Sequence, residues 1–230
     1  MPSVSRLAHA DLPFANPMSE AAVDAAAAAL PLPPRARILD TGCGSGEMLV
    51  RVVRAHLGTS GLGVDLDADA IAEARSRAGD LNVRFEARDA ATVEGAFDAV
   101  INVGSSHVHG GFPAALDALR ALAPVVLYGE GFWAQPPTEA FLAALGGASS
   151  DELADLRGLH GAIDAAGFAI VHEAHADAGD WARYEETLAA TAERLGTPDA
   201  LAYARLIRDR RALPGGTETL GFALLVLRAA

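Results

Sequence analysis

The chain is short of the features that would staple it, anchor it or fit it to a polyanion. A single cysteine, Cys43, leaves no intramolecular disulfide to form. No apolar run approaches the ~18 residues of a membrane span, which argues against a membrane partner. The N-terminus carries Asp11, Pro13 and Pro17 where a secretory leader would place a basic stretch and then an apolar one. Basic residues are outnumbered, 18 Lys and Arg against 30 Asp and Glu, for a formal net charge of −12. No basic cluster offsets that field, so a nucleic-acid partner is disfavoured. The expectation is a soluble cytoplasmic protein; its oligomeric state is not legible.

What is present is material for a core. Of 230 residues, 51% are hydrophobic and 21% charged, consistent with one α/β domain over 1–230. The alanines around 25–29 read as helix: Ser19 can cap it, Glu20 sits in its first turn, and Pro31, Pro33 and Pro34 stop it. Residues 1–18 are then a loose N-terminal arm. From Arg35 onward, β-rich runs at 36–39, 61–66, 82–86, 97–103 and 125–129 alternate with helical stretches. That alternation predicts a parallel sheet with helices on both faces. Further helices follow at 138–145 and 151–166, then strands at 168–173 and 219–227. The last two strands are separated by residues 174–218, about forty and too many for a hairpin turn, and 181–195 and 199–211 look helical. If the sixth strand is parallel to the first five, this insertion lies over the carboxyl edge, where open α/β sheets bind ligands.

Asp40-Thr41-Gly42-Cys43-Gly44-Ser45-Gly46 follows the first strand and opens a helix, so backbone can approach a ligand closely. A dinucleotide fingerprint needs a small residue at position 47, where this chain has Glu47, so a nicotinamide-dependent oxidoreductase is a weak alternative. Asp40 before the turn suits an amine-bearing ligand better than a phosphate. Asp65, ending the second strand, can accept both hydroxyls of a ribose, and Asp89, after the third, can accept from an adenine amine.

These residues resemble the class I S-adenosylmethionine (SAM)-dependent methyltransferases. Residues 38–47 are close to that family's first motif, 63–67 to its second and Arg88-Asp89-Ala90 to its third, and the likeness runs over nearly the whole chain. Asn16-Pro17-Met18-Ser19, Gly129-Glu130-Gly131-Phe132-Trp133 and Thr219-Leu220-Gly221-Phe222-Ala223 resemble a bacterial subgroup thought to act on small molecules. The resemblance implies a Rossmann-like, seven-stranded, mostly parallel sheet with an antiparallel last strand and a helical insertion before it. It implies SAM as cofactor and S-adenosylhomocysteine (SAH) as product. Gly42 and Gly44 would hold the amino-acid end, Asp65 the ribose and Asp89 the adenine, with Asp40, Leu66, Ala90 and Asn102 completing the cofactor set.

Methyl transfer from a sulfonium is an in-line displacement that alignment and exclusion of water can drive, and a base is needed only if the acceptor must lose a proton. His107, with His109 beside it, follows the fourth strand in a Gly-rich loop, and Glu130 follows the fifth. These are the catalytic candidates, and loop packing or pairing with an arginine is the plain alternative for each. Two histidines at that spacing make a poor metal site, so no metal is expected. Trp133, Trp181 and Tyr184, with Phe14 and Asn16 of the arm, are candidate acceptor contacts, or simply packing for a helical lid. No Asn-Pro-Pro-Tyr or Asp-Pro-Pro-Tyr follows the fourth strand, which disfavours amide or adenine-amine methylation. The expected function is methylation of a small molecule at oxygen, nitrogen or carbon, with secondary metabolism as one setting. A non-catalytic SAM-binding protein is the rival.

Overall fold

A computed structural model describes residues 3–230. In chain order its elements are α1 (Val4–Ala8), α2 (Glu20–Ala28), β1 (Arg37–Thr41), α3 (Glu47–Ala55), β2 (Ser60–Asp65), α4 (Ala68–Ala78), β3 (Val83–Ala87), β4 (Ala99–Val103), α5 (Ala114–Leu122), β5 (Val125–Trp133), α6 (Glu139–Ala144), α7 (Leu156–Ala165), β6 (Phe168–His175), α8 (Ala178–Leu195), α9 (Pro198–Ala212) and β7 (Leu220–Ala229). The strands form one sheet in the order β3-β2-β1-β4-β5-β7-β6, with the last strand antiparallel. β1 to β5 are parallel, Asp40 standing opposite Gly63 on one side and Ile101 on the other. This is the expected Rossmann-like sheet. Because β1 to β4 and the first part of β5 run the same way, their carboxyl ends fall on one edge.

The chain divides into two compact units. The sheet unit holds residues 20–130, 160–174 and 223–230. Its core is the apolar run of the central strands: Leu39, Val100, Ile101, Val126 and Leu127 are fully buried, as are Leu49 and Val50 of α3. Strands buried on both faces read as continuous apolar runs, and these do. The α4 helix begins where Asp67 caps it, accepting from the backbone N–H groups of Asp69 and Ala70.

The helical unit holds the residues up to Ser19, 131–159 and 175–222. Ala8, Leu188, Ala189, Ala192, Ala200, Ala204 and Ile207 form its core, with Val4, Leu12, Tyr184 and Tyr203 packed against them. Alanines at these positions let α1, α8 and α9 approach closely. The stretch expected to be a loose arm therefore contains a helix, α1. Ser3 caps it, and Asp11 beyond it accepts from the Thr191 hydroxyl at 2.7 Å and pairs with Arg194. The fifth strand also runs past Gly129. Trp133 N–H donates to Ala154 O at 2.8 Å and Ala134 N–H to Thr219 O at 2.9 Å, ladder bonds that outweigh the two glycines in the segment. The insertion is helical as expected, with α8 and α9 on either side of Gly196 and Thr197.

Candidate functional site

The carboxyl ends of β1 and β2 carry the densest polar chemistry. The glycine turn is tied to β2 by the N–H groups of Gly42 and Cys43, both donating to Val64 O. Gly42 has φ +73°, and a Cβ there would lie 2.6 Å from Ser105 Cβ, so this glycine is required by packing against the loop after β4. Gly44 differs: φ is +51°, yet nothing lies within 4 Å of where its Cβ would stand. The space over Gly44 is open to a ligand. Its N–H donates to Asp65 Oδ2 at 2.9 Å, and Asp67 N–H donates to Asp65 Oδ1 at 2.9 Å. Two backbone donors thus fix the Asp65 carboxylate, leaving a lone pair on each oxygen.

Asp40 is buried, and its Oδ2 has no hydrogen-bond partner in the protein. Burial, reinforced by the neighbouring Asp65 charge, pushes its carboxyl up to about 8. A donor or cation entering the turn would favour its charged form. Glu47 at the start of α3 is held by Arg51 at 2.7 Å and Arg77 at 3.4 Å, and Arg77 also donates to Ser45 Oγ at 2.7 Å. The residue that argued against a dinucleotide serves to brace the turn. A surface hollow lined by Glu20, Asp24, Glu47 and Arg51 lies on the α2 and α3 side. Its three carboxylates all bond Arg51. Cys43 is buried, and burial holds its thiol far above the usual range, which leaves it inert.

Along the same edge, Asp89 accepts from Ala91 N–H at 2.9 Å and is exposed, with Ala90 buried behind it and Leu66 exposed. Asn102 is fully buried; its amide donates to Thr41 Oγ1 at 3.0 Å and Ser105 O at 3.3 Å, while Ser105 Oγ donates to Thr41 O at 2.7 Å. This network fastens β1 to the loop after β4, and Asn102 Oδ1 has no partner in the protein. His107 is exposed. His109 is half-buried near Asp89, its Nε2 enclosed without a partner, and burial lowers its pKa against the pull of Asp89. Glu130 is buried and accepts from the Tyr128 hydroxyl at 2.8 Å, which burial and Glu130 together keep protonated.

The aromatic candidates lie in the helical unit. Trp133 is buried, donates from Nε1 to Ser150 O at 2.8 Å and meets Phe141 edge-on. Asn16 is buried, its side chain accepting from Met18 N–H at 3.0 Å, and Phe14 is buried nearby in the chain. Trp181 and Tyr184 meet edge-on at 5.9 Å, and Trp181 Nε1 is enclosed without a partner. His9 joins them: its Nδ1 reaches Ser5 O at 2.7 Å and its Nε2 reaches the Tyr184 hydroxyl at 2.7 Å. A carbonyl only accepts, so Nδ1 carries the proton and Tyr184 donates to Nε2. The local sequence signals none of this, because 175 positions separate the two partners.

Comparison with known proteins decides the family. The methyltransferase domain family matches residues 38–126. Protein YjhP of Escherichia coli K12, itself uncharacterised, is 35% identical over 195 residues, covering 80% of this chain and 78% of YjhP. Its X-ray structure superposes with a TM-score of 0.88 at 32% identity and covers all of both chains. A SAM-dependent methyltransferase from Geobacter sulfurreducens, solved with SAH, gives 0.87 at 29% identity over 100% of this chain and 99% of its own. The chain belongs to the class I SAM-dependent methyltransferases.

In this methyltransferase the matched stretch runs from β1 to the start of β5 and contains Asp40, Gly44, Asp65, Asp89 and Asn102. Sequence reasoning had singled out these positions. It missed Ser105, Arg77 and the His9–Tyr184 pair, whose importance comes from contacts between elements distant in the chain.

Proposed function

We propose that this methyltransferase binds SAM along the carboxyl ends of β1, β2 and β3 and methylates a small molecule at oxygen, nitrogen or carbon. The observation that carries the reading is the juxtaposition at the glycine turn: a buried acid with one oxygen lacking a partner, open space over Gly44, and a carboxylate pre-set by two backbone donors. Those groups suit the parts of SAM. Asp40 would take the amine, the Gly44 backbone the adjoining chain, Asp65 the ribose hydroxyls, and Asp89 with Ala90 the adenine, flanked by Leu66 and Asn102. The cofactor supplies an electrophilic methyl group, whose sulfur keeps the bonding electrons when the methyl leaves. A protic acceptor would pass its proton to a base, for which His107, His109 and Glu130 stand after β4 and within β5. Phe14, Asn16, Trp133, Trp181 and Tyr184 are assigned to the acceptor. The net charge of −12 favours a small metabolite over nucleic acid and suits a cytoplasmic protein.

Calorimetry with SAM and SAH tests the reading. Binding of both is expected, and failure of both at millimolar concentration overturns it. Replacing His107 should lower turnover more than cofactor affinity, and unchanged turnover would remove it from the chemistry.

A further inference from the structure

Within the helical unit, positive charge and unused donors collect at one place. Glu185 of α8 is buried and pairs with two guanidinium groups of the last turn of α9: Arg210 at 2.5 Å and Arg211 at 3.0 Å. One carboxylate against two guanidinium groups leaves a surplus of one positive charge, in a chain whose formal net charge is −12. Of the other acids on α8, Asp180 is bonded to Arg183 at 2.9 Å, and the exposed Glu186 and Glu193 share Arg208 at 3.3 and 2.7 Å, outside this buried cluster. Arg210 also lies over the Phe141 ring at 6.0 Å, and its Nε is enclosed without a partner. Trp181, one turn before Glu185, has its indole N–H enclosed without a partner as well. Both orphaned groups are donors, and the Tyr184 proton between them is committed to His9. A buried cation surplus beside unused donors is matched by an anion with several acceptor oxygens. The chain contains no lysine, and the planar guanidinium is the side chain suited to bidentate oxyanion recognition.

We propose that the first turns of α8 and the last turn of α9 form a site for an acidic group, carboxylate or phosphate, on a small-molecule ligand. Trp181 Nε1 and Arg210 Nε supply the unused donors, and Phe141 and Trp181 the apolar wall. The anion site stands independently of the methyltransferase reading above.

The experiment is calorimetric titration of the SAH-loaded protein with benzoate, phenyl phosphate and neutral benzamide. One anion should bind at least about tenfold tighter than benzamide, and which one does so separates carboxylate from phosphate. Arg210→Gln should abolish that preference, and Glu185→Gln should strengthen anion binding by removing the competing carboxylate. Arg211→Gln, at the more exposed guanidinium, carries the test if Arg210→Gln does not fold. Equal binding of benzamide, no anion binding at millimolar concentration, or a preference surviving in both arginine variants overturns the proposal. If the wild type does not bind SAH, the function proposed above falls, and the same titrations on the unloaded protein still decide the anion site.

Discussion

Gly42 and Gly44 stand two residues apart in one turn, and alanine at each should fail in a different way. At Gly42 the added Cβ meets two costs. A left-handed backbone, at φ +73°, costs a residue with a side chain roughly 1–2 kcal/mol. The 2.6 Å approach to Ser105 Cβ adds an overpacking cost of roughly 1–3 kcal/mol. The sum, roughly 2–5 kcal/mol, is a large part of the about 5–15 kcal/mol that holds a domain folded. At Gly44 only the backbone cost applies, because the space is open, and the Cβ enters the room assigned to the cofactor. Urea unfolding should therefore find G42A less stable than G44A by roughly 1–3 kcal/mol, while SAH calorimetry on whatever remains folded finds G44A the weaker binder. A double-mutant cycle isolates the steric part. Ser105→Gly alone loses the bond to Thr41 O, about 1 kcal/mol, but in the G42A background it removes the clash, so the pair should couple by roughly 1–3 kcal/mol. Equal destabilisation by the two alanines, or a cycle with no coupling, would refute the packing argument.

Asp40 should make stability depend on pH. Its carboxyl is raised from 3.8 to about 8 in the folded chain, so between those values the native state holds a proton that the unfolded state has released. Stability then falls as pH rises through that window, by up to about 1.4 kcal/mol per pH unit, and Asp40→Asn should flatten the slope in urea titrations. An amine placed against Asp40 would expel that proton, so calorimetry near neutral pH in buffers of different ionisation enthalpy should detect proton release on SAM binding, absent in the Asn variant. Asp65→Ala should weaken SAM by roughly 1.5–3 kcal/mol, the loss of charge-assisted hydrogen bonds; unchanged affinity would disqualify it as the ribose ligand. Tyr184→Phe should cost about 1 kcal/mol of stability by breaking the bond to His9. Cys43 should resist alkylation in the native protein and react after unfolding, as mass spectrometry would record.

Most of the sheet was legible because its signals are local. The α4 helix is set by signals within its own stretch, since Asp67 caps it and alanines repeat on its buried face. The β1 to β4 strands shifted at their ends by a residue or two, the ordinary effect of ladder pairing. The α1 helix was not legible: with 5 residues it is too short to stand alone and owes its order to contacts with α8. The same limit hid the second half of β5, whose partners lie at 154 and 219. Within the site, Asp65 was foreseen as a ligand, but not the backbone donors that hold it. Asn102 was expected beside the cofactor, and its amide turned out to fasten two strand ends together.

The fixed Asp65 carboxylate also bears on how the enzyme would behave after turnover. Its two oxygens are oriented by the chain's own Gly44 and Asp67 N–H groups, so the grip is built into the turn itself. In the function proposed above, that grip would address the adenosine portion, which methyl transfer leaves untouched. Spent and fresh cofactor would thus be held alike at this end, and accumulating SAH should compete with SAM in proportion to its concentration. The rate in a cell would then follow the ratio of the two, giving an activity that reports methylation capacity without a dedicated regulatory site.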